Sequence, residues 1–281
     1  MSALSFRPIQ CMSIVIITIP DKHKQQFVSD IQNITNQNIG LVVIQKPRPA
    51  SWLQRLTRLV QPNIKHTLQN LWYTALLYLR PKLRSYLTIF RSRSLPGTST
   101  SWAAPTIETD DINSPEIQAA IAKAKPELLI TWGCTIVKKP ILNLAPKAIN
   151  LHLGLAEQYR GAVANQYAVA LGQLSAVGFT IHYVNHKADA GDIILSQAAT
   201  INSDPLTTFQ AMNDQAYQSF VEVVQKIHDK ESLPRIKQDL QTGKNIRLQE
   251  WTPRRRYLLA KRMQNWLNTQ NVPNSPIPNY E

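Results

Sequence analysis

The sequence predicts an α/β protein with a doubly wound, mostly parallel sheet. Continuous apolar, largely β-branched runs at 13–19 and 41–44 enclose a segment, 21–34, whose apolar residues recur at helical spacing. Such runs are typical of parallel strands that are covered on both faces. A further apolar run at 126–133 ends in a glycine and follows a helix that we expect to begin at Ser-Pro-Glu, residues 114–116. This β-α-β opening is typical of a doubly wound sheet.

The later part of the chain continues the alternation of helices and strands. We expect a helix at 161–171 and a strand at 178–184, followed by an amphipathic helix at 205–227. Residues 246–249 are predicted to form a late strand, and a basic helix is expected at 257–267.

Composition and cysteine content limit the class of protein. Hydrophobic residues make up 43% of the 281 residues, which suits a globular protein. Cys11 and Cys134 are too few for a disulfide framework or a metal site and fit a reducing compartment. We find no signal-peptide pattern and no apolar run long enough to span a bilayer. We therefore expect a cytoplasmic protein without a metal, whose only membrane contact would be peripheral and at the inner face.

Residues 46–105 have the character of a basic, aromatic-rich helical insertion. The net charge of the chain is +13, and this segment contains ten basic residues and no acidic residue. The basic residues are Lys46, Arg48, Arg55, Arg58, Lys65, Arg80, Lys82, Arg84, Arg91 and Arg93. We predict three helices here, at 52–60, 64–79 and 82–90, punctuated by prolines. A charge imbalance this local indicates a partner and says nothing about the fold.

The second predicted helix of the insertion carries an apolar stripe at helical spacing, formed by Leu68, Leu71, Trp72, Ala75, Leu76 and Leu79. Three interpretations stay open: a helical lid packed on the domain with a solvated basic face, a surface that lies on anionic lipid, and a site for RNA phosphates. We expect the insertion to belong to a main domain over 1–205, followed by a helical C-terminal extension over 206–281.

Two clusters of polar residues carry the chemistry. Asn150 and His152 end a short apolar run, and residues two apart on a strand point to the same face. Asp189 follows the predicted strand 178–184, and it meets the imidazole if the two strands are neighbours. An imidazole for proton transfer, an amide donor for an oxyanion and a carboxylate that orients the imidazole suit acyl transfer to an amine. We expect His182 to point away from this pair and to be structural.

These residues belong to a longer motif, which reads N-x-H, then Y-R-G, then G-x-T-x-H-x-V-x-x-x-x-D-x-G-x-I. The matching positions are Asn150, His152, Tyr159, Arg160, Gly161, Gly178, Thr180, His182, Val184, Asp189, Gly191 and Ile193. The motif resembles the formyltetrahydrofolate-dependent formyltransferases, which include methionyl-tRNA formyltransferase, glycinamide ribonucleotide formyltransferase and the sugar N-formyltransferases.

The resemblance implies a Rossmann-like catalytic domain and assigns roles to particular residues. Asn150, His152 and Asp189 would be the catalytic trio, and 10-formyltetrahydrofolate would be the formyl donor. Backbone groups in the loop Gly133, Cys134, Thr135, Ile136 and Val137 would hold the pterin ring. Arg160 would either brace the catalytic loop or bind an anionic part of the substrate.

Two departures from the family pattern bear on the acceptor. The family continues the histidine motif as P-S-L-L-P, whereas residues 153–157 read Leu-Gly-Leu-Ala-Glu. The glycine-containing phosphate loop of glycinamide ribonucleotide formyltransferases is absent at 20–24, although Lys22 and Lys24 could attract an anion. We therefore expect the acceptor to be the amine of an amino sugar or sugar nucleotide.

Other functions remain open at the level of the sequence. A methionyl-tRNA formyltransferase would suit the basic charge, and a glycinamide ribonucleotide formyltransferase would share the chemistry. A formyltransferase-like module without turnover, which binds a membrane or a protein partner, would suit the altered loop and the basic insertion.

Overall fold

The computed structural model describes residues 12–36, 38–46, 60, 63–94 and 99–269. Its strands are β1 (Ile14–Thr18), β2 (Ile39–Gln45), β3 (Thr106–Thr109), β4 (Leu128–Trp132), β5 (Lys147–His152), β6 (Tyr159–Gly161), β7 (Gly178–Tyr183), β8 (Ile193–Ala198) and β9 (Lys244–Ile246). Its helices are α1 (Lys22–Ile34), α2 (Ile64–Leu79), α3 (Pro81–Ser85), α4 (Pro115–Ala124), α5 (Lys139–Leu142), α6 (Ala164–Leu171), α7 (Pro205–His228) and α8 (Pro253–Thr269).

In the described residues the main sheet has seven strands in the order β3-β2-β1-β4-β5-β7-β8. β1 pairs in parallel with both β2 and β4, and every residue of β1 is buried. The last pair, β7 with β8, is antiparallel. With helices on both faces of a mostly parallel sheet, the predicted Rossmann-like α/β fold is confirmed.

The helix boundaries follow from local capping. Asp21 accepts a hydrogen bond from the backbone N–H of His23 and begins α1. Ser114 accepts from the N–H of Ile117, Pro115 takes the first helical position, and α4 ends where Lys125 adopts a left-handed conformation. Both helices therefore begin where the sequence predicts.

The chain divides into two compact units. One comprises the described residues of Met1–Lys46, Gly97–Ile149 and Val221–Leu233, and the other those of Pro47–Pro96, Asn150–Phe220 and Pro234–Glu281. The second unit thus gathers pieces from the insertion, the middle and the end of the chain. The domain boundary that we expect near residue 205 coincides with the start of α7 and stays a prediction.

The insertion is only partly as expected. Residues 64–79 form α2 as predicted, residues 82–90 divide into the short α3 and a 3₁₀ turn at Tyr86–Arg91, and residues 52–59 lie outside the described residues. On α2, Leu77 is buried in a cluster with Leu83 and Ala260. The predicted apolar stripe does not pack inward, however, because Leu68 and Leu79 are 61% and 75% exposed.

The late strand is shorter and earlier than expected. β9 ends at Ile246 and pairs in parallel with β6, whereas Leu248–Glu250 is a 3₁₀ turn. None of the described helices is long and apolar enough to cross a membrane.

Candidate active site

The structure brings Asn150, His152 and Asp189 together. β5 places the first two side chains on the same side because they are two residues apart on the strand. The Nδ2 atom of Asn150 lies 3.3 Å from Oδ1 of Asp189, and the Nδ1 atom of His152 lies 3.3 Å from Oδ2. One carboxylate therefore faces an amide through one oxygen and an imidazole through the other.

Asp189 is held in place by its backbone and by its partners. Its φ is +48°, in the left-handed region that aspartate and asparagine tolerate better than most residues. The N–H of Gly161 donates to Oδ2 at 2.9 Å. Burial opposes ionisation of this carboxyl, but His152, His182 and the Gly161 N–H outweigh it and lower the pKa of Asp189 far below its usual range.

His182 does not point away from the cluster, so our interpretation of it as purely structural is wrong. Its Nε2 lies 3.1 Å from Nδ2 of Asn150 and 3.4 Å from Oδ1 of Asp189. Its Nδ1 lies 2.8 Å from the backbone oxygen of Tyr183. Because that oxygen can only accept, Nδ1 carries a proton in this hydrogen bond. Nε2 faces two groups, and it accepts from the Asn150 amide when it carries no proton and donates to the Asp189 carboxylate when it carries one.

The alternation of side chains along β7 could have predicted the orientation of His182. Thr180 and His182 are two residues apart and share a face of the strand. The Thr180 hydroxyl donates a hydrogen bond to the loop that follows His152. His182 lies on the same face of β7, so it also points toward β5.

His152 is buried with both ring nitrogens engaged. Its Nε2 lies 3.0 Å from the backbone oxygen of Tyr159, and its Nδ1 faces Asp189. A carbonyl and a carboxylate can only accept hydrogen bonds, so this geometry satisfies both groups when the two nitrogens carry protons. The imidazole in that form is a proton donor and a positive charge beside the cluster.

The altered loop at 153–157 keeps a defined geometry. The hydroxyl of Thr180 donates to the oxygen of Gly154 at 2.8 Å and accepts from the N–H of Ala156 at 3.1 Å. A methyl group at Gly154 would lie 2.5 Å from Nε2 of His152 and would also contact the side chain of Ala164. The glycine therefore permits the backbone to pass close to the imidazole.

Arg160 has a structural role in this geometry. Its side chain is buried, and its guanidinium donates to the backbone oxygens of Ala156, Leu240 and Thr242. The bond to Ala156 braces the loop 153–157 that follows His152, which was one of the two roles expected of Arg160. The contact with substrate that we also expected has no support in the structure, because the guanidinium is occupied by the backbone.

Gln238 is a second residue that the sequence did not reveal. Its Nε2 donates to the backbone oxygens of Asp189 and Gly191, and it thereby fixes the turn that carries the carboxylate. Gln238 belongs to the C-terminal part of the chain, and no local pattern marks it.

The predicted cofactor loop, Gly133–Val137, lies in the first compact unit and is braced by side chains. Gln45 accepts from the N–H of Thr135 and donates to its hydroxyl. Asn113 donates to the oxygen of Ile136, and Val137 is buried in the core. The side chain of Ile136 is exposed. The loop thus presents an apolar side chain from a fixed backbone.

At residues 20–24 a carboxylate caps the helix and one of the two lysines is buried. The carboxylate of Asp21 caps α1, where an anion would otherwise bind the helix N-terminus. Lys24 is buried, with its Nζ 5.4 Å from the ring centroid of Trp132. Only Lys22 of the two expected lysines is exposed.

These observations define a class: a Rossmann-like α/β protein with an amide, an imidazole and a carboxylate arranged for acyl transfer. A family model described as formyl transferase matches residues 13–224. The chain therefore belongs to the formyl transferase family.

Curated relatives with similar sequences include methionyl-tRNA formyltransferases. One from Chlorobium limicola is 30% identical over 37% of this chain and 33% of its own length, and one from Syntrophomonas wolfei is 31% identical over 47% and 43%. The matched stretches thus cover less than half of those relatives.

Solved structures agree on the fold at low identity. A sugar N-formyltransferase from a Shewanella species is 14% identical, with a TM-score of 0.54 over 89% of this chain and 87% of that one. A glycinamide ribonucleotide transformylase from Symbiobacterium toebii is 15% identical, with a TM-score of 0.50 over 81% and 96%.

Proposed function

We propose that this protein transfers a formyl group from 10-formyltetrahydrofolate to a primary amine, that of an amino sugar or sugar nucleotide. The observation that carries the proposal is the Asp189 carboxylate facing both the Asn150 amide and the His152 imidazole, in a chain of the formyl transferase family.

The reaction makes one bond, breaks another and moves a proton. A bond forms between the amine nitrogen and the formyl carbon, the bond from that carbon to the donor nitrogen breaks, the amine loses a proton and the donor nitrogen gains one. Negative charge on the formyl oxygen would be stabilised by the Asn150 amide and by a protonated His152. His152 would also take part in the proton transfer, and Asp189 would orient it and hold a relay water.

Substrate binding must exchange some existing hydrogen bonds. Both N–H groups of the Asn150 amide have acceptors within reach, on His182 and Asp189, and Nε2 of His152 is directed at the oxygen of Tyr159. A formyl oxygen can replace one of these acceptors, and the displaced acceptor must then find another donor, such as a water molecule or the substrate.

The braced loop Gly133–Val137 supports the proposed donor. Its fixed backbone and the exposed side chain of Ile136 suit contact with a flat pterin ring. The N–H of Thr135 and the oxygen of Ile136 are already bonded within the protein, so the ring would use other backbone groups of the loop.

Support for an amino-sugar acceptor comes from the residues that differ from the related families. Asp21 occupies the helix N-terminus where a glycinamide ribonucleotide enzyme would hold a phosphate, and residues 153–157 have lost the usual sequence. The fold is shared with a sugar N-formyltransferase.

The test is a formyl-transfer assay with 10-formyltetrahydrofolate and a panel of amines. The panel contains amino sugars, nucleotide-linked amino sugars, glycinamide ribonucleotide and methionyl-tRNA, and mass spectrometry detects the formylated product. We expect turnover of a nucleotide-linked amino sugar that is lost in Asn150→Ala, His152→Ala and Asp189→Ala. The exposed His186 provides a matched control, because His186→Ala should retain full activity.

Full activity in His152→Ala would reject this mechanism. A protein that formylates no amine, and whose melting temperature does not change with folates, would instead be the non-catalytic module.

Methionyl-tRNA is the second candidate acceptor. The curated relatives are methionyl-tRNA formyltransferases, and the insertion is basic. Salt-dependent tRNA binding together with formylation of the charged tRNA would favour this function over the amino sugar.

A further inference from the structure

Helix α2 exposes a continuous apolar face. Positions 64, 68, 71, 75 and 78 follow one another at spacings of three and four residues, and positions 72 and 79 extend the same face. The large apolar side chains here are exposed, which is unusual for a helix of a water-soluble unit. Their exposed fractions are Ile64 76%, Leu68 61%, Leu71 47%, Trp72 63%, Tyr78 74% and Leu79 75%.

The opposite face of α2 is firmly packed. Leu77 is buried with Leu83 and Ala260, and the ring of Tyr73 lies 5.2 Å from that of Tyr257 on α8. Asn70 is also buried. The orientation of α2 is therefore fixed by contacts on one side, and among the described residues the large apolar side chains on the other side stay exposed.

Positively charged residues flank both ends of the apolar face. Lys65 is exposed at the start of α2, and Arg80, Lys82 and Arg84 are exposed at its end. Residues 63–94 contain no acidic residue. A partner of this face must therefore combine an apolar layer with a negative surface.

We propose that α2 lies in the surface of an anionic lipid bilayer, with its apolar face among the acyl chains and its flanking cations at the headgroups. With sixteen residues, α2 is about 24 Å long, too short to cross a bilayer, so it would lie flat in the interface. Trp72 and Tyr78 have the amphipathic rings that favour this region.

Two other occupants fit less well. A second copy of the chain would bring the same four cations against these, and like charges at a self-complementary interface repel. RNA would contact the cations and Trp72, but its charged backbone would not bind the apolar side chains of Ile64, Leu68 and Leu79.

The test is co-flotation of the full chain with vesicles. We expect binding to vesicles of phosphatidylglycerol and phosphatidylcholine, and little binding to phosphatidylcholine alone. The double variant Leu68→Glu/Leu79→Glu should abolish binding, because it buries carboxylates in an apolar layer. Its matched control is Ala119→Glu/Ala122→Glu on the exposed side of α4, which should bind like the wild type.

The contribution of the flanking cations to membrane binding is tested separately. The triple variant Arg80→Gln/Lys82→Gln/Arg84→Gln should lower the partition coefficient roughly a hundredfold, since each cation near an anionic surface contributes about fivefold. The same number of charges removed at the exposed Lys22, Lys123 and Lys139 should have a much smaller effect.

A site-specific readout uses lipid with brominated acyl chains. It should quench part of the tryptophan fluorescence of the wild type, and that part should be lost in Trp72→Phe. Formyl transfer to a water-soluble acceptor should be unchanged in the α2 variants, so this proposal and the proposed function fail independently.

Three results would overturn the proposal. One is the absence of binding to anionic vesicles at low salt, and another is equal binding of Leu68→Glu/Leu79→Glu and the wild type. The third is a dimer in light scattering that the same double variant dissociates, which would make a second copy the occupant.

Discussion

The polar cluster of Asn150, His152, His182 and Asp189 and the exposed face of helix α2 are opposite exceptions to the usual distribution of residues. At the cluster, His152 and His182 are buried, polar and hydrogen-bonded. On α2, Leu79 and Trp72 are apolar and exposed. Buried polar groups and exposed apolar faces are the informative exceptions in a folded protein, and each indicates a binding partner. The partner that we propose for the first is a reacting group, and the partner that we propose for the second is a lipid surface.

The largest effect that we expect concerns Asp189. Asp189→Asn keeps the shape and the left-handed backbone but removes the charge that His152 faces, so turnover should fall about a thousandfold. Formyl transfer measures this loss, and thermal unfolding confirms that the variant is folded.

Asp192 is the control for this change. It lies three residues further on, and its carboxylate pairs with Arg235 at 3.0 Å in a partly exposed position. Asp192→Asn should keep turnover within about twofold, since such surface pairs contribute little. Equal losses in the two variants would contradict the special role of Asp189.

The next effect separates the two faces of α2. Leu77→Ala should cost about 2–5 kcal/mol of unfolding free energy because it leaves a cavity beside Leu83 and Ala260. Leu79→Ala should change stability by less than about 0.5 kcal/mol because its side chain already lies in water. Denaturant unfolding measures both. Similar costs would mean that the apolar face is covered in solution.

A smaller effect appears in acid. The folded-state pKa of Asp189 is lowered because, despite burial, nearby histidines and the Gly161 N–H favour the charged form. Its ionised form therefore stabilises the fold above the unfolded pKa of about 3.9, and this contribution is lost as pH falls toward the folded pKa. The difference in melting temperature between wild type and Asp189→Asn should therefore shrink as the pH falls below about 4. A difference that persists at low pH would contradict the ionised state.

The smallest effect concerns Gly154. Gly154→Ala places a methyl group against the buried side chains of His152 and Ala164, so it should displace the imidazole, lower turnover about tenfold and also cost some stability. Gly40→Ala on β2 is the control, since its new methyl group would meet the Ser13 hydroxyl at 3.3 Å, a much milder contact. Unchanged turnover in Gly154→Ala would show that the close approach is unimportant.

Much of the fold could be predicted from local patterns. The continuous apolar runs of β1 and β2, the helical spacing of apolar residues in 21–34 and the capping residue Ser114 gave the β-α-β opening and two helix starts correctly. The short strands β3 and β8 were missed, because neither has a long apolar run and both depend on pairing with a neighbour.

Part of the candidate active site could also be predicted from local spacing along the chain. Asn150 and His152 are close along one strand, so their common face follows from the pleat. The roles of His182 and Gln238 were not visible, because each depends on a contact with the turn around Asp189 that no local spacing encodes.

The sequence by itself determined the alternation of strands and helices, the acyl-transfer residue set and the concentration of positive charge in the insertion. Only the tertiary structure decided that His182 joins the cluster, that Arg160 is occupied by backbone oxygens, and that the apolar stripe of α2 points outward. The physical reason is the same in each case. Periodicity along the chain determines which side chains share a face, whereas the neighbour that this face meets is set by distant segments such as α8.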